Sequence, residues 1–323
     1  MVGLLARCGG GLLGVLSGAG CASPDLPAAW ESPGLGVLST RMHPEDSPRE
    51  RLVGELGLGA EGSITADVFD EGGGPLNVAT AWAFLPIGTP EPLDALDQRC
   101  EVVPSESPCI LFSDTSTVSV RVGEDVEALL NNNTLVRFAG SVGGSALNCL
   151  SRRLSDQPIA GQERCVFGST VLRFGPRESL LKAAREQGLE VEVSDEELDT
   201  VEARPNLIPH ISSVSLSGPA EPSAPQVEEG DEVEVEADEV LHIDVSLENV
   251  DEPLWNLRSG SFESLQDEHE FALFVYGDPS EVEVSAESAS IVVRAGTRVV
   301  VIAVVRDGIG NAISRRFSVI ARG

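Results

Sequence analysis

The chain has 323 residues, 41% of them hydrophobic and only 4% aromatic, a length and content that suit two domains with modest cores. With 52 Asp+Glu against 22 Lys+Arg its formal charge is −30, which excludes the basic footprint of nucleic-acid binding and charge-driven docking on an anionic membrane surface. No run of about 20 apolar residues marks a transmembrane span, and Lys182 is the only lysine, a bias of the kind high-GC codon usage produces.

In chain order, Met1–Gly20 holds one positive charge, Arg7, followed by an uncharged stretch from Cys8 to Gly20. That stretch is too short to cross a bilayer but suits the apolar part of a secretory signal peptide. It ends in Leu16-Ser17-Gly18-Ala19-Gly20-Cys21, which resembles the lipobox of bacterial lipoproteins, with Gly18 standing where a Leu is usual. The resemblance implies cleavage before Cys21, a lipid on its sulfur, and no Asp at the next position to divert sorting from the outer membrane. Three acyl chains on one residue exceed the two signals that stable anchoring requires. Plain secretion with cleavage near Ala22 is the alternative, and a cytosolic chain with a misassigned start is a second. Residues 21–35, with Pro24, Pro27 and Pro33, read as a Pro-rich tether.

Removing Cys8 and committing Cys21 to lipid leaves Cys100, Cys109, Cys149 and Cys165. An even remainder in an oxidising compartment points to disulfides. Of the three possible connectivities the two local ones, Cys100–Cys109 and Cys149–Cys165, are preferred because each pair sits in a Pro/Ser/Gln-rich, loop-like stretch. The spacings contain no C-x2-C and no nearby His, which argues against a zinc site.

Short β-branched or alternating runs recur between Gly, Pro, Asp and Asn clusters. They cover Leu35–Arg41, Ser63–Phe69, Val78–Pro86, Thr117–Val122, Thr134–Val142 and Thr170–Phe174, then His210–Ser217, Glu232–Glu236, Val240–Leu247, Leu254–Leu257, Phe271–Tyr276, Glu281–Ser285, Ser290–Arg294, Arg298–Arg306 and Ile313–Ala321. In Val240–Leu247 the period of two places Leu241, Ile243, Val245 and Leu247 on the core face and His242 and Asp244 on the other. Arg298–Arg306 is apolar on both faces and suits a central strand. Glu124–Leu130 and Pro176–Gln187 read as short helices, the second stopped by Gly188. Glu186–Glu202 holds eight acids and no base, a linker composition. The expected layout is a signal peptide over 1–20, a tether over 21–35, a sandwich over 36–175, a helical and acidic linker over 176–204 and a second sandwich over 205–323. Both sandwiches are expected to be all-β and antiparallel.

The second half carries Pro205-Asn206-Leu207-Ile208-Pro209, then Trp255 with Ser259-Gly260-Ser261-Phe262, then Val304-Val305-Arg306-Asp307-Gly308-Ile309-Gly310. In that order these resemble bacterial immunoglobulin-like (PKD-like) modules over about 115 residues, and the first half is similar to a divergent companion. The layout resembles tandem Ig-like lipoproteins of high-GC Gram-negative bacteria. The resemblance implies two immunoglobulin-like sandwiches in tandem and an envelope address, and it supplies no activity. A Trp on the third strand fills the space between two sheets, so Trp82 and Trp255 are assigned to the cores.

The chain holds no G-x-S-x-G elbow and no phosphate loop, and Asp267-Glu268-His269-Glu270 lacks the second zincin His because Leu273 stands there. The other histidines, His43, His210 and His242, are scattered. Glu221–Glu252 holds 13 acids and no base; it reads as a solvated edge face, or as carboxylates chelating calcium at the domain junction. The reading adopted is a non-enzymatic, lipid-anchored envelope protein with no cofactor, a membrane contact through its anchor, a protein or envelope-polysaccharide partner and no nucleic-acid partner. A calcium-dependent adhesion or polysaccharide-binding module and a secreted hydrolase are the alternatives.

Overall fold

The structure is a computed structural model, and it describes residues 36–44, 55–86, 98–131, 134–155, 164–190, 210–218, 226–248, 253–256, 261–264, 270–284, 288–306 and 312–322. The expected signal peptide and tether, Cys21, the acidic stretch beyond residue 190 and the Pro205–Pro209 motif lie outside the described residues.

In the first half, β1 (Gly36–Pro44), β2 (Glu61–Phe69), β3 (Pro75–Leu76) and β6 (Thr117–Arg121) form one antiparallel sheet. Both β3 and β6 lie on the same side of β2, at opposite ends. The facing sheet runs β5-β4-β7-β8, from β5 (Cys109–Ser113), β4 (Ala79–Pro86), β7 (Thr134–Val142) and β8 (Arg164–Leu172). This is the division of strands of an immunoglobulin-type sandwich. An isolated parallel bridge joins Leu56, between β1 and β2, to Phe174, just past the end of β8. Alternation in β2 sends Ile64, Ala66 and Val68 inward, where they meet Trp82, Phe84, Val136 and Phe138. Trp82 is fully buried, stacks on Phe138 with ring centroids 4.4 Å apart and donates its indole N–H to Thr80 Oγ1 at 2.6 Å. The sequence assignment of Trp82 to the core agrees with this placement.

β4 is buried on both faces, because its other side is covered by α2 (Ala146–Leu154). Ala81, Ala83 and Leu85 face Ala146, Cys149 and Leu150 there. The sequence reading places no helix here: the apolar stripe is only three residues deep, and its cap, Ser145 accepting from Asn148 N–H, looks like ordinary loop sequence. A second correction concerns the linker. α3 (Arg177–Glu186) is not a connector; it packs on α1 (Val126–Asn131) and buries Glu178, Leu180, Leu181 and Ala184, so the first module runs past residue 175.

The second half divides its strands the same way. β10 (Gln226–Val227), β9 (His210–Ser217), β12 (Val240–Glu248), β17 (Ser288–Val293) and β16 (Pro279–Val284) make one sheet in that order. The other is β11 (Glu232–Val235), β19 (Ala312–Ala321), β18 (Arg298–Arg306) and β15 (Glu270–Tyr276). β11 pairs parallel with β19, while the remaining ladders are antiparallel. β13 (Pro253–Asn256) and β14 (Ser261–Ser264) form a separate hairpin. Trp255 therefore does not sit on the third sandwich strand, a position β15 takes through seven residue pairs with β18; the Trp255 side chain lies outside the described residues.

β18 explains how the halves meet. Val299, Val301, Ala303 and Val305 fill the second core. The opposite face, Val300, Ile302 and Val304, packs with Phe274, Tyr276, Ala312 and Phe69, the last residue of β2. Arg316 Nε donates to Gly73 O at 2.7 Å, and Ser314 Oγ donates to Asp67 Oδ2 at 3.2 Å. Burial of each such apolar side chain is worth about 1.5–3 kcal/mol against about 1 kcal/mol for each hydrogen bond, so the apolar cluster dominates the contact. Gly73 has φ +73°, and a Cβ there would lie 2.9 Å from both Tyr276 Cδ2 and Val300 Cγ1. Only a glycine lets the turn come this close.

Two measurements test this arrangement. Trp82→Ala should lower the unfolding free energy by about 3–5 kcal/mol in urea titration, the cost of an unfilled aromatic site. Tyr276 is the only tyrosine, its residue is 1% exposed, and burial first and the Asp70 charge second push its phenol above the ordinary value. A raised folded-state value means stability is fully present below the unfolded tyrosine's pKa and is lost as pH rises through the folded one. Phenolate absorbance should therefore stay silent above pH 10 until the protein unfolds. Ordinary titration near pH 10 with the fold intact would contradict the burial.

Candidate functional site

The first module has one side closed by an extended segment, Gln98–Val103, that crosses from sheet to sheet. At one end Ile110 N–H donates to Gln98 O at 2.8 Å and Cys100 N–H donates to Ile110 O at 3.1 Å, so the segment runs along β5. At the other end Val103 N–H donates to Arg121 O at 2.8 Å, and Gly123 N–H donates to Val103 O at 3.0 Å. The Cys100–Cys109 disulfide, with its Cα atoms 5.0 Å apart, fastens the strap to the first residue of β5. Beside it lies an open cleft of about 600 Å³, lined by Glu61–Ser63, Cys100–Val103, Leu111 and Ser119–Arg121. The lining joins apolar Leu111, Val102 and Val120 to charged Glu61, Glu101 and Arg121. Such a surface suits recognition by main-chain and side-chain contacts together.

The second disulfide, Cys149–Cys165, has its Cα atoms 5.8 Å apart and pins α2 to β8 across the outer face of the sheet. Both pairings are the local ones preferred from the sequence. Neither half-cystine at Cys149 nor at Cys109 reaches solvent appreciably. The stretches around these cysteines, read as loops, hold a strand (β5) and a helix (α2) instead.

The other candidates do not converge. His210 and His242 are exposed at opposite ends of the β9–β12 ladder, where His210 pairs with Glu248 and His242 with Ser217. The side chain of His43 and the whole of His269 lie outside the described residues, as does Cys21. His242 and Asp244 alternate outward and Leu241 and Ile243 inward, as the sequence period requires. Among the described residues no group of three or more His, Cys, Asp or Glu is placed to hold a metal ion. Of the ten described acids of Glu221–Glu252, Glu232, Glu234, Asp244 and Glu248 lie on strands and the other six in turns and connections; β11 lies on the edge of its sheet with Glu232 paired to Arg298 and Glu234 to Arg322. Exposed pairs of this kind contribute about 0–1 kcal/mol, so they decorate an edge rather than build a site. Among the described residues no helix is long and apolar enough to cross a membrane.

No family model matches the chain, and no curated protein matches it. Among solved structures the chain is similar to dimeric latent PorU from Porphyromonas gingivalis, with 12% sequence identity and a TM-score of 0.20 over 89% of this chain and 24% of that one. The chain spans about a quarter of that protein's length. A likeness this slight leaves the fold to be read from the sheets themselves.

The strap gives the cleft its outer wall, and the strap depends on its disulfide. Closing a loop of this size is worth about 2–3 kcal/mol. A Cys100→Ser, Cys109→Ser double variant should lose roughly that much stability in denaturant titration and show faster amide exchange at Cys100 and Val103 positions than at β2. Unchanged stability would mean the hydrogen bonds alone hold the strap.

Proposed function

We propose that this chain is a non-enzymatic, lipid-anchored protein of the cell envelope, held at the outer membrane through Cys21, whose paired sandwiches act as a binding or structural part. The observation that carries the reading is the pairing of Cys100 with Cys109 and of Cys149 with Cys165. With Cys8 in the signal segment and Cys21 lipidated, those four are all the cysteines that remain. Thiols consumed in this way suit an oxidising compartment, not a reducing one. The lipobox-like run ending at Cys21 supports the anchor, and the Pro-rich residues that follow it support a spacer between lipid and folded module. The mixed apolar and charged cleft beside the strap supports a binding role, since it offers a recognition surface. Its partner is a protein or an envelope polysaccharide.

The anchor is tested by expressing the full chain in a Gram-negative host with a labelled fatty acid. The natural chain should incorporate label and sediment with membranes. Cys21→Ser should do neither, remaining soluble or uncleaved. Equal labelling of the two would refute lipidation at Cys21.

A further inference from the structure

The cleft lies against a strand edge that is only partly used. β6 reaches β2 through its even-numbered residues: Val122 N–H donates to Ala60 O, and Ser116 O accepts from Ala66 N–H. In an antiparallel ladder the alternate residues then point their backbone groups the other way, so those of Thr117, Ser119 and Arg121 face away from β2. The two ends of that outer edge are occupied. Val103 N–H binds Arg121 O at one end. At the other, Thr115 Oγ1 accepts from Thr117 N–H at 3.2 Å and donates to Thr117 O at 3.0 Å. Between them the N–H and C=O of Ser119 and the N–H of Arg121 have no partner among the described residues, and Ser119–Arg121 line the cleft.

The second half shows what belongs there. β17 holds in its sandwich the place β6 holds in the first, since each pairs with the second long strand of its own sheet, β12 or β2. The outer edge of β17 carries β16 in a five-pair ladder. In the first half only Asp114–Ser116 separate β5 from β6, too short a link to supply such a strand. The cleft of about 600 Å³ opens beside this edge, lined by Ser119–Arg121 of β6, by the strap and by Glu61–Ser63 of β2.

We propose that the outer edge of β6 accepts an extended, basic segment of another polypeptide as an added strand. Main-chain bonds to Ser119 and Arg121 supply affinity, and alternate side chains enter between the strap and β6 over Val102 and Leu111. Glu61 and Glu101 on the rim outnumber Arg121, and a chain of net charge −30 repels a second copy of itself, so the occupant is basic and foreign. The proposal rests on the reading of the chain as a binding module and names its site; it is independent of the anchor at Cys21.

The probe is a fluorescent heptapeptide of alternating Val and Lys, titrated against the full-length protein by anisotropy. Saturable binding is expected, weakened about tenfold or more by N-methylation of alternate backbone nitrogens, which removes the donors, and by exchanging Lys for Glu. Ser119→Pro should abolish binding, because proline removes the outward N–H and leaves the β2 ladder intact, as an edge position permits. A thermal melt checks that this variant folds. If it does not, Glu101→Lys serves in its place, and should weaken the Lys peptide and strengthen the Glu peptide. Equal binding of the N-methylated peptide, absence of binding at millimolar peptide, or slow exchange of the Ser119 and Arg121 amides in the free protein would each overturn the proposal. A Cys21→Ser protein that still binds the peptide separates this result from any failure of anchoring.

Discussion

A strand that is apolar on both faces needs a layer on each side of it, and two such strands organise this molecule. β4 and β18 bury nearly every side chain they carry. In each case the inner face is satisfied by the opposing sheet, which leaves an outer face that water would otherwise meet. α2 covers β4, clamped by Cys149–Cys165. The first half itself covers β18, through Phe69 and the turn at Gly73. The hydrophobic effect thus sets both the three-layered build of the first module and the contact between modules.

Charge plays a different part. The acids outnumber the bases more than twofold, and several of the described arginines sit where they hold strands or loops. Arg298 and Arg322 meet the outward glutamates of β11, Arg41 meets Asp67 at 2.8 Å, and Arg316 caps Gly73 O. The rest of the negative surface keeps sheet edges solvated and discourages strand-to-strand association between copies. Against that background the outer edge of β6 stands out, because it is guarded at both ends by hydrogen bonds and not by charge along its length.

Guarding by hydrogen bonds and opening by omission come from the same local geometry. The strap is drawn across from β5 to β6 by four backbone bonds and one disulfide. Because it crosses at an angle and does not run along β6, it satisfies Arg121 and leaves Ser119 facing a cleft. The same position in the second module is filled by β16. Two sandwiches with one plan of strands therefore differ at the place where one of them can recognise something else.

Much of the architecture is legible in the residues. Thr134–Val142, His210–Ser217 and Arg298–Arg306 show their strands end to end, since alternation, β-branching and turn residues act over a few neighbours. Trp82 declares a core, and cysteine arithmetic with loop size favours the local disulfides. What the residues leave silent are features that exist only once distant segments meet. α2 is a helix because a sheet face made of Ala81, Ala83 and Ala139 accepts three short apolar side chains, not because its own pattern is strong. α3 belongs to the first module because α1 lies beneath it. The contact of Phe69 with Tyr276, the displacement of Trp255 onto a hairpin and the cleft along β6 all depend on partners tens to hundreds of positions away. Periodicity is a property of neighbours along the chain and was enough to define most of the long strands, though not β5 or the first part of β8; which surfaces then cover one another, and which edge is left without a partner among the described residues, was decided by packing in three dimensions.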